Sequence, residues 1–175
     1  MKQLKPEFHW CRTASEAGVL SRLFSSNLNA PYISHSELQG RRAISPGVWS
    51  PDIAEQIDAD VLSRIDNPLD AAADAETSLV VAATFHGCPA GVFLITFSRK
   101  ASVPCCIIED MIVDPDHRGQ GIGSAFMGWI NCQCRDRSIT RLFLESGIDN
   151  EHAHDFFDAT GFRKISVVMM KELIV

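Results

Sequence analysis

No apolar run in this 175-residue sequence approaches the roughly 18 residues that a membrane-crossing helix needs. The longest runs, Ser78–Phe85 and Ala90–Phe97, have strand length, so no membrane partner is expected. Positive charge is also scarce: 16 Lys and Arg against 22 Asp and Glu leave a formal charge of −6. Such a surface repels phosphate backbones, which makes nucleic acid a poor partner and a cation a better one. No CxxC pair occurs among the six cysteines. Cys132 and Cys134 lie two apart in a predicted helix and share no face, and Cys105 and Cys106 are adjacent. The expectation is reduced, structural thiols in a cytoplasmic compartment, with no metal. The opening residues Met1–Glu7 turn polar at once, so no export signal is expected. Tyrosine occurs once, as Tyr32.

What remains is an ordinary globular composition, 46% hydrophobic and 22% charged, at a length that fits one domain. Glu7–Thr13 reads as a strand and Ala14 to about Asn27 as an amphipathic helix, with Ala17, Leu20, Leu23 and Phe24 on one stripe. Helical segments are predicted over Tyr32–Ala43 and Asp52–Ile65, and Asp66–Thr77, rich in acids, as a solvated loop. Ser78–Phe85 and Gly91–Phe97 form a predicted hairpin about His86–Pro89. Cys105–Val113 is the next strand. A helix from Gly121 to about Arg137, a strand at Arg141–Glu145, a helix at Asn150–Thr160 and a closing strand at Phe162–Met170 complete an α/β sandwich on a mixed sheet.

The segment Val113–Ser124 lies between a predicted strand and a predicted helix. Glycines there let backbone N–H groups close on a phosphate, and the helix N-terminus adds a favourable dipole. Arg118 supplies a charge for the same anion. A dinucleotide fold is the main competitor, since Gly119 and Gly121 give G-x-G and Glu145 follows near the right distance for a ribose. Against it, the third glycine of that fingerprint falls on Ser124, and five residues separate Val113 from Gly119 where a tight turn is required. Too little chain follows Glu145 to complete a doubly wound sheet. A Walker loop fails because no Gly-Lys-Ser/Thr follows.

Arg118-Gly119-Gln120-Gly121-Ile122-Gly123, set between strand and helix, resembles the pyrophosphate signature R/Q-x-x-G-x-G/A of the GCN5-related N-acetyltransferase (GNAT) superfamily. Asn150-x-x-Ala153-x-x-Phe156-Phe157-x-x-x-Gly161-Phe162 is similar to that family's later pattern, in the right order and spacing. The resemblance covers about 78–173, the acetyl-CoA-binding core, and leaves 1–77 as the variable acceptor-side half of a single domain. It implies a central mixed, mostly antiparallel sheet splayed at the acetyl-CoA site, with helices on both faces. It also implies acetyl-CoA as co-substrate, held by Met111, Ile112 and Val113 along the splayed strand, by Arg118, Gly119, Gln120, Gly121, Ile122, Gly123 and Ser124 at the phosphates, and by Asn150 and Phe157.

The implied reaction is direct attack of an amine on the thioester in a ternary complex, so a group must take the amine's proton. Ile108-Glu109-Asp110-Met111 is similar to the strand of spermidine/spermine acetyltransferases, which implies Glu109 as base and Asp110 as an aid to binding a cationic acceptor. Strand alternation sends the two side chains to opposite faces. Glu145, five residues before Asn150, instead matches the proposed base of ribosomal-protein N-terminal acetyltransferases. In one place the pattern is broken. The family's general-acid tyrosine is Phe157 here, and phenylalanine cannot protonate a departing thiolate. The reading is an N-acetyltransferase acting on a primary amine, a cationic small molecule ahead of a protein N-terminus or lysine. A non-catalytic acetyl-CoA-binding regulatory module is the alternative, and a homodimer stays open.

Overall fold

The computed structural model describes residues 5–173 apart from positions 71 and 101. Its longest ladder is a hairpin of β4 (Glu76–Phe85) and β5 (Cys88–Ser98). His86 and Gly87 join them with φ of 53° and 75°. Two consecutive positive φ values give the turn the twist of the flanking strands, so the connection is tighter than the expected His86–Pro89 segment. Pro89 has no N–H to donate, and it enters β5 at a register shift opposite Ala83 and Thr84.

The main sheet has the order β1-β4-β5-β6-β7, completed by β1 (Glu7–Trp10), β6 (Cys105–Val113) and β7 (Arg141–Leu144). Every pairing is antiparallel except β6 with β7. A separate ribbon, β2 (Ala43–Ser45) with β3 (Val48–Trp49), turns on Gly47 at φ 80°. The predicted helix over Tyr32–Ala43 is thereby divided into a 3-10 turn at Ala30–Tyr32, a short α2 (His35–Gln39) and β2.

Helices cover both faces, as expected. α1 (Ala14–Ser25) and α3 (Ile53–Arg64) pack on Val80, Ala82, Val92 and Leu94, while α4 (Ile122–Asp136) packs on Val81, Ala83, Phe93 and Ile95. Alternate residues of β4 and β5 thus feed two cores, and both strands read as unbroken apolar runs. Phe93 stacks on Phe126 of α4 with ring centroids 3.8 Å apart, and both rings are sealed from solvent. Truncating such a ring to Ala typically costs about 3–5 kcal/mol. α1 opens at Thr13, whose side chain accepts from the Glu16 N–H at 3.2 Å. α2 opens with a capping box of Ser34 and Glu37. The last helix, α5 (Glu151–Ala159), lies on the α4 side, with Phe156 against that core.

The expected closing strand at Phe162–Met170 does not form: no residue beyond Phe162 in the described chain joins a ladder. Its β-branched, apolar character is real, but a strand exists only where a partner supplies the ladder, and none is supplied here. Ile165, Val167, Val168, Met169 and Met170 are consequently exposed.

Candidate functional site

β6 and β7 pair in parallel only from Cys105 and Arg141 to Ile108 and Leu144. β7 then ends while β6 continues to Val113, and a cavity of about 690 Å³ opens between the parting strands. The splay was expected after Met111–Val113. It begins earlier, at Ile108, so Met111, Ile112 and Val113 form a wall of the opening.

The glycine loop closes the far end. A 3-10 turn at Pro115–His117 leads out of β6, with the Asp116 N–H donating to Asp114 Oδ1 at 2.9 Å. Gly119 and Gly121 follow at φ 71° and 80°, and a Cβ built at either would meet no atom within 4 Å. Gly121 is the N-cap of α4 and offers no capping side chain. The first-turn N–H groups of the helix, at Ile122, Gly123 and Ser124, thus have no intrahelical acceptor. Open space, bare backbone donors and a helix dipole fit a diphosphate. Gly123 has a second task. A Cβ there would sit 3.0 Å from Met111 Cε and 3.2 Å from Phe156 Cζ, so its bareness lets α4 pack tightly against β6 and α5. Arg118 lines the cavity and donates from Nε to the Val113 carbonyl at 3.1 Å. Gln120 departs from expectation: it is outside the cavity wall, and its amide donates to the Asp116 carbonyl at 3.1 Å.

The carboxylates of β6 break the alternation rule. Leu94 pairs with Asp110 and Ile95 with Ile108, leaving Glu109 as the unpaired residue of a bulge. Glu109 and Asp110 therefore both turn toward the α1 and α3 side instead of opposite faces. A chain of charges joins them. Arg64 Nη2 donates to Glu109 Oε2 at 2.6 Å and its Nε to Asp60 Oδ1 at 2.8 Å. Arg42 donates to Asp60 at 2.6 Å and to Asp110 Oδ2 at 2.9 Å. The Tyr32 hydroxyl donates to Asp110 Oδ1 at 2.9 Å and accepts from the Met111 N–H at 3.1 Å. Thr96 closes the other end on Glu109. Asp110, expected to help bind a cationic acceptor, is only 2% exposed and has both oxygens engaged, so it is a structural anchor. Burial pushes its carboxyl above the ordinary carboxylate range, although Arg42 and Tyr32 oppose the shift. Glu109 keeps about a third of its side-chain surface and lines the cavity.

Glu145 stands on the opposite wall, one residue past β7. Ser36 donates to it from its N–H at 3.1 Å and from its hydroxyl at 2.9 Å, and His35 pairs with it. Burial would raise its carboxyl, but hydrogen bonds from Ser34 and Ser36 outweigh that and hold it below the usual range. Asn150 and Phe157 also line the cavity. Phe157 sits edge-on to Phe156 and Phe162, with centroids 5.3 and 5.6 Å away, which makes that wall apolar. Several polar lining residues were missed from sequence, among them Asn27, Asn29, Tyr32, Ser34, Glu37 and Ser146. Nothing local in the sequence brings these residues to the cavity. Among the described residues no group of three or more His, Cys, Asp or Glu forms a metal site, and no helix is long and apolar enough to cross a membrane.

Residues 46–162 match the model of the acetyltransferase (GNAT) family. No curated protein matches in sequence. Among solved structures, the chain is similar to an aminoglycoside acetyltransferase from an uncultured soil metagenomic sample in complex with trehalose, at 16% identity over 98% of this chain and 97% of that one, with a TM-score of 0.61. It is similar at 12% identity to the ribosomal-protein-alanine N-acetyltransferase of Brucella melitensis biovar Abortus 2308, with 97% and 100% covered and a TM-score of 0.63. A third likeness, also at 12%, is to AAC(6')-Iy in complex with the bisubstrate analog CoA-S-monomethyl-acetylneamine, with 98% and 99% covered and a TM-score of 0.64.

Proposed function

The chain belongs to the acetyltransferase (GNAT) family, and from that membership we propose that it transfers an acetyl group from acetyl-CoA to a primary amine, in the cytoplasm and by direct attack within a ternary complex. One observation carries the reading: the opening between β6 and β7 joins a bare-backbone phosphate cradle at one end to carboxylates on both walls. Bound acetyl-CoA supplies an activated thioester. The protein's own contribution is position and charge. Gly119, Gly121 and the first turn of α4 hold the diphosphate, with Arg118 beside them, while Met111–Val113 offers strand backbone to the pantetheine arm. The Met111 N–H donates to the Tyr32 hydroxyl, which holds it until a carbonyl oxygen takes its place.

Glu109 is our first choice for the group that takes the amine proton, and Glu145 the second. Arg64 neutralises Glu109, so proton removal by Glu109 runs through a water rather than by direct contact. Glu145, already bonded to Ser36 and paired with His35, is held deprotonated and suits attraction of a cation. Glu145 on one wall and Glu109 on the other favour a cationic small molecule over a neutral amine, with a protein N-terminus or lysine as the next acceptor class. Phe157 gives the sulfur no proton donor. A thiol of pKa about 8.5 leaves as thiolate and collects its proton from water.

The same phenylalanine favours a second reading, an acetyl-CoA-binding regulatory module without turnover. An acceptor panel with acetyl-CoA, read as release of free coenzyme A thiol, separates the two. Turnover with a polyamine or an aminoglycoside is the expected result. Binding without thiol release from any amine would replace the enzyme by the sensor.

A further inference from the structure

Glu109 has two hydrogen-bonded neighbours, and they lead in different directions. Arg64 holds Oε2 at 2.6 Å and belongs to the ion network described above. Thr96 donates its hydroxyl to Oε1, and behind it stands Ser78, whose Oγ lies 2.6 Å from Thr96 Oγ1. Thr96 has one proton and gives it to Glu109, so Ser78 is the donor in the second bond. The two hydroxyls are cross-strand partners on the α1 and α3 side of β4 and β5. Nearer the centre of the sheet the same rows are apolar, through Val80 and Ala82 on β4 and Val92 and Leu94 on β5. Period-two spacing puts Ser78 and Thr96 next on that face, and Glu76 and Ser98 after them. Ser98 donates to Glu76 at 2.9 Å, and Glu76 marks the rim, with 37% of its side chain in solvent. Thr96 is buried and Ser78 half-buried. A polar stripe thus runs from Glu109 across the sheet to water, away from the cavity. Thr96 satisfies Glu109, but Ser78 touches neither the carboxylate nor the cavity wall.

Given that Glu109 takes the amine's proton, as proposed above, we infer that Thr96 and Ser78 form the outlet that carries this proton to solvent on the far side of the sheet. The proton balance calls for an outlet. A charged primary amine gives up two protons in becoming an amide, the sulfur takes up one, and the other must reach water. When Glu109 is protonated, its O–H donates to Thr96 Oγ1, Thr96 turns to donate to Ser78 Oγ, and Ser78 donates to water. Glu109 then passes its proton to Thr96, Thr96 passes its own to Ser78, and Ser78 passes its own to water. Three O–H bonds break and three form. Glu109 is again a carboxylate, both hydroxyls are neutral, and one proton has gone to solvent. Each hydroxyl now points back at its upstream neighbour, which is the arrangement the structure shows. A hydroxyl suits the task because it is donor and acceptor at once, whereas the guanidinium of Arg64 does not release a proton. Hydrogen bonds aligned in series also strengthen one another.

Steady-state kinetics in water and in deuterium oxide test this on Thr96→Val, Thr96→Ser and Ser78→Val, with Glu109→Gln in parallel. Valine fills the place of each hydroxyl, so no water stands in for it. Ser78→Val is the decisive variant, because it cuts the outlet and leaves both bonds to Glu109 intact. Melting curves and calorimetric titration of acetyl-CoA check that each variant folds and binds as the unaltered protein does. Both valine variants should lower kcat by about 10-fold, short of the roughly 10²-fold loss expected for Glu109→Gln. The KM of each substrate should stay the same, and the solvent isotope effect on kcat should grow, since proton release becomes the slow step. Thr96→Ser, which keeps a hydroxyl, should recover most of the loss. A fall in Thr96→Val without one in Ser78→Val overturns the inference, because Thr96 would then only position Glu109. Unchanged kcat in both valine variants beside an impaired Glu109→Gln also overturns it, while leaving Glu109 as the base. An unimpaired Glu109→Gln removes the base and the outlet together.

Discussion

The two faces of the sheet are built on different principles. On the α4 side, the candidate site is backbone: two left-handed glycines, a bare helix end and a glycine–phenylalanine contact, over a core of stacked rings. On the α1 and α3 side, it is side chains: three carboxylates, two arginines and a phenol linked in series. Backbone recognition suits a ligand part that never changes, such as a diphosphate. Side-chain networks can be exchanged one residue at a time, which suits the half of a transferase that selects its acceptor.

The largest way to break that contrast is at Arg42. Arg42→Met leaves Asp110 buried and unpaired, and loss of one partner from a buried ion pair costs about 3–5 kcal/mol. Asp110 already has a raised pKa, and removing Arg42 raises it further. A carboxyl raised on folding stabilises the fold when protonated and loses that contribution as pH rises through its folded value. The deficit of the variant should therefore be full at pH 7 and shrink as the pH is lowered, as urea denaturation will measure. A pH-independent deficit would mean that Arg42 acts by packing, against Phe24 at 5.7 Å, and not by charge.

The face-to-face difference also separates the two glutamates. Glu109→Gln should lower kcat/KM by roughly 10²-fold at neutral pH, the scale for loss of a general base, and less at high pH where free amine is abundant. Glu145→Gln should mainly raise the acceptor KM. Steady-state kinetics with the two results exchanged would move the base to the β7 wall.

Gly147 sharpens the comparison because it is where the halves meet. A Cβ there would collide with the carbonyl oxygens of Pro31 and Ile33. Overpacking of this kind costs about 1–3 kcal/mol, and displacement of 31–37 would disturb Tyr32 and Glu37 together. Gly147→Ala should therefore weaken acceptor affinity while leaving acetyl-CoA affinity near its original value, by paired titrations. Equal loss of both would show that the halves are not separable. The smallest expected effect is of salt. Exposed carboxylates attract a cation across a Debye length of about 8 Å at physiological ionic strength, so acceptor KM should rise as salt is added. A salt-independent KM would remove acidity as a selector.

The same contrast governs what was legible in the sequence. The glycine loop, the helix it opens and the Asn150–Phe162 pattern are local, and residues within a few positions of each other define them. The ion network is not local: Arg64 meets Glu109 across 45 positions, Arg42 meets Asp110 across 68, and Tyr32 meets Asp110 across 78. No periodicity reports such pairs. The bulge at Glu109 hides for a related reason, since alternation within β6 looks regular until the register with β5 is known. The segment after Phe162 misled in the other direction, with strand character but no ladder in its own chain.

The central claim is that the glycine cradle beside the parting strands holds acetyl-CoA. Calorimetric titration of acetyl-CoA into the unaltered protein and into Gly121→Ala tests it most directly, with NAD titrated in parallel. At φ 80° an alanine is strained by about 1–2 kcal/mol, which a melting curve measures separately. Its methyl group fills the open space beside the helix end and removes charge-assisted contacts of about 1.5–3 kcal/mol, so affinity should fall by roughly 10- to 150-fold. The account predicts saturable acetyl-CoA binding, that loss in the variant, and no NAD binding. Unchanged affinity in Gly121→Ala, or NAD bound in preference, would contradict it.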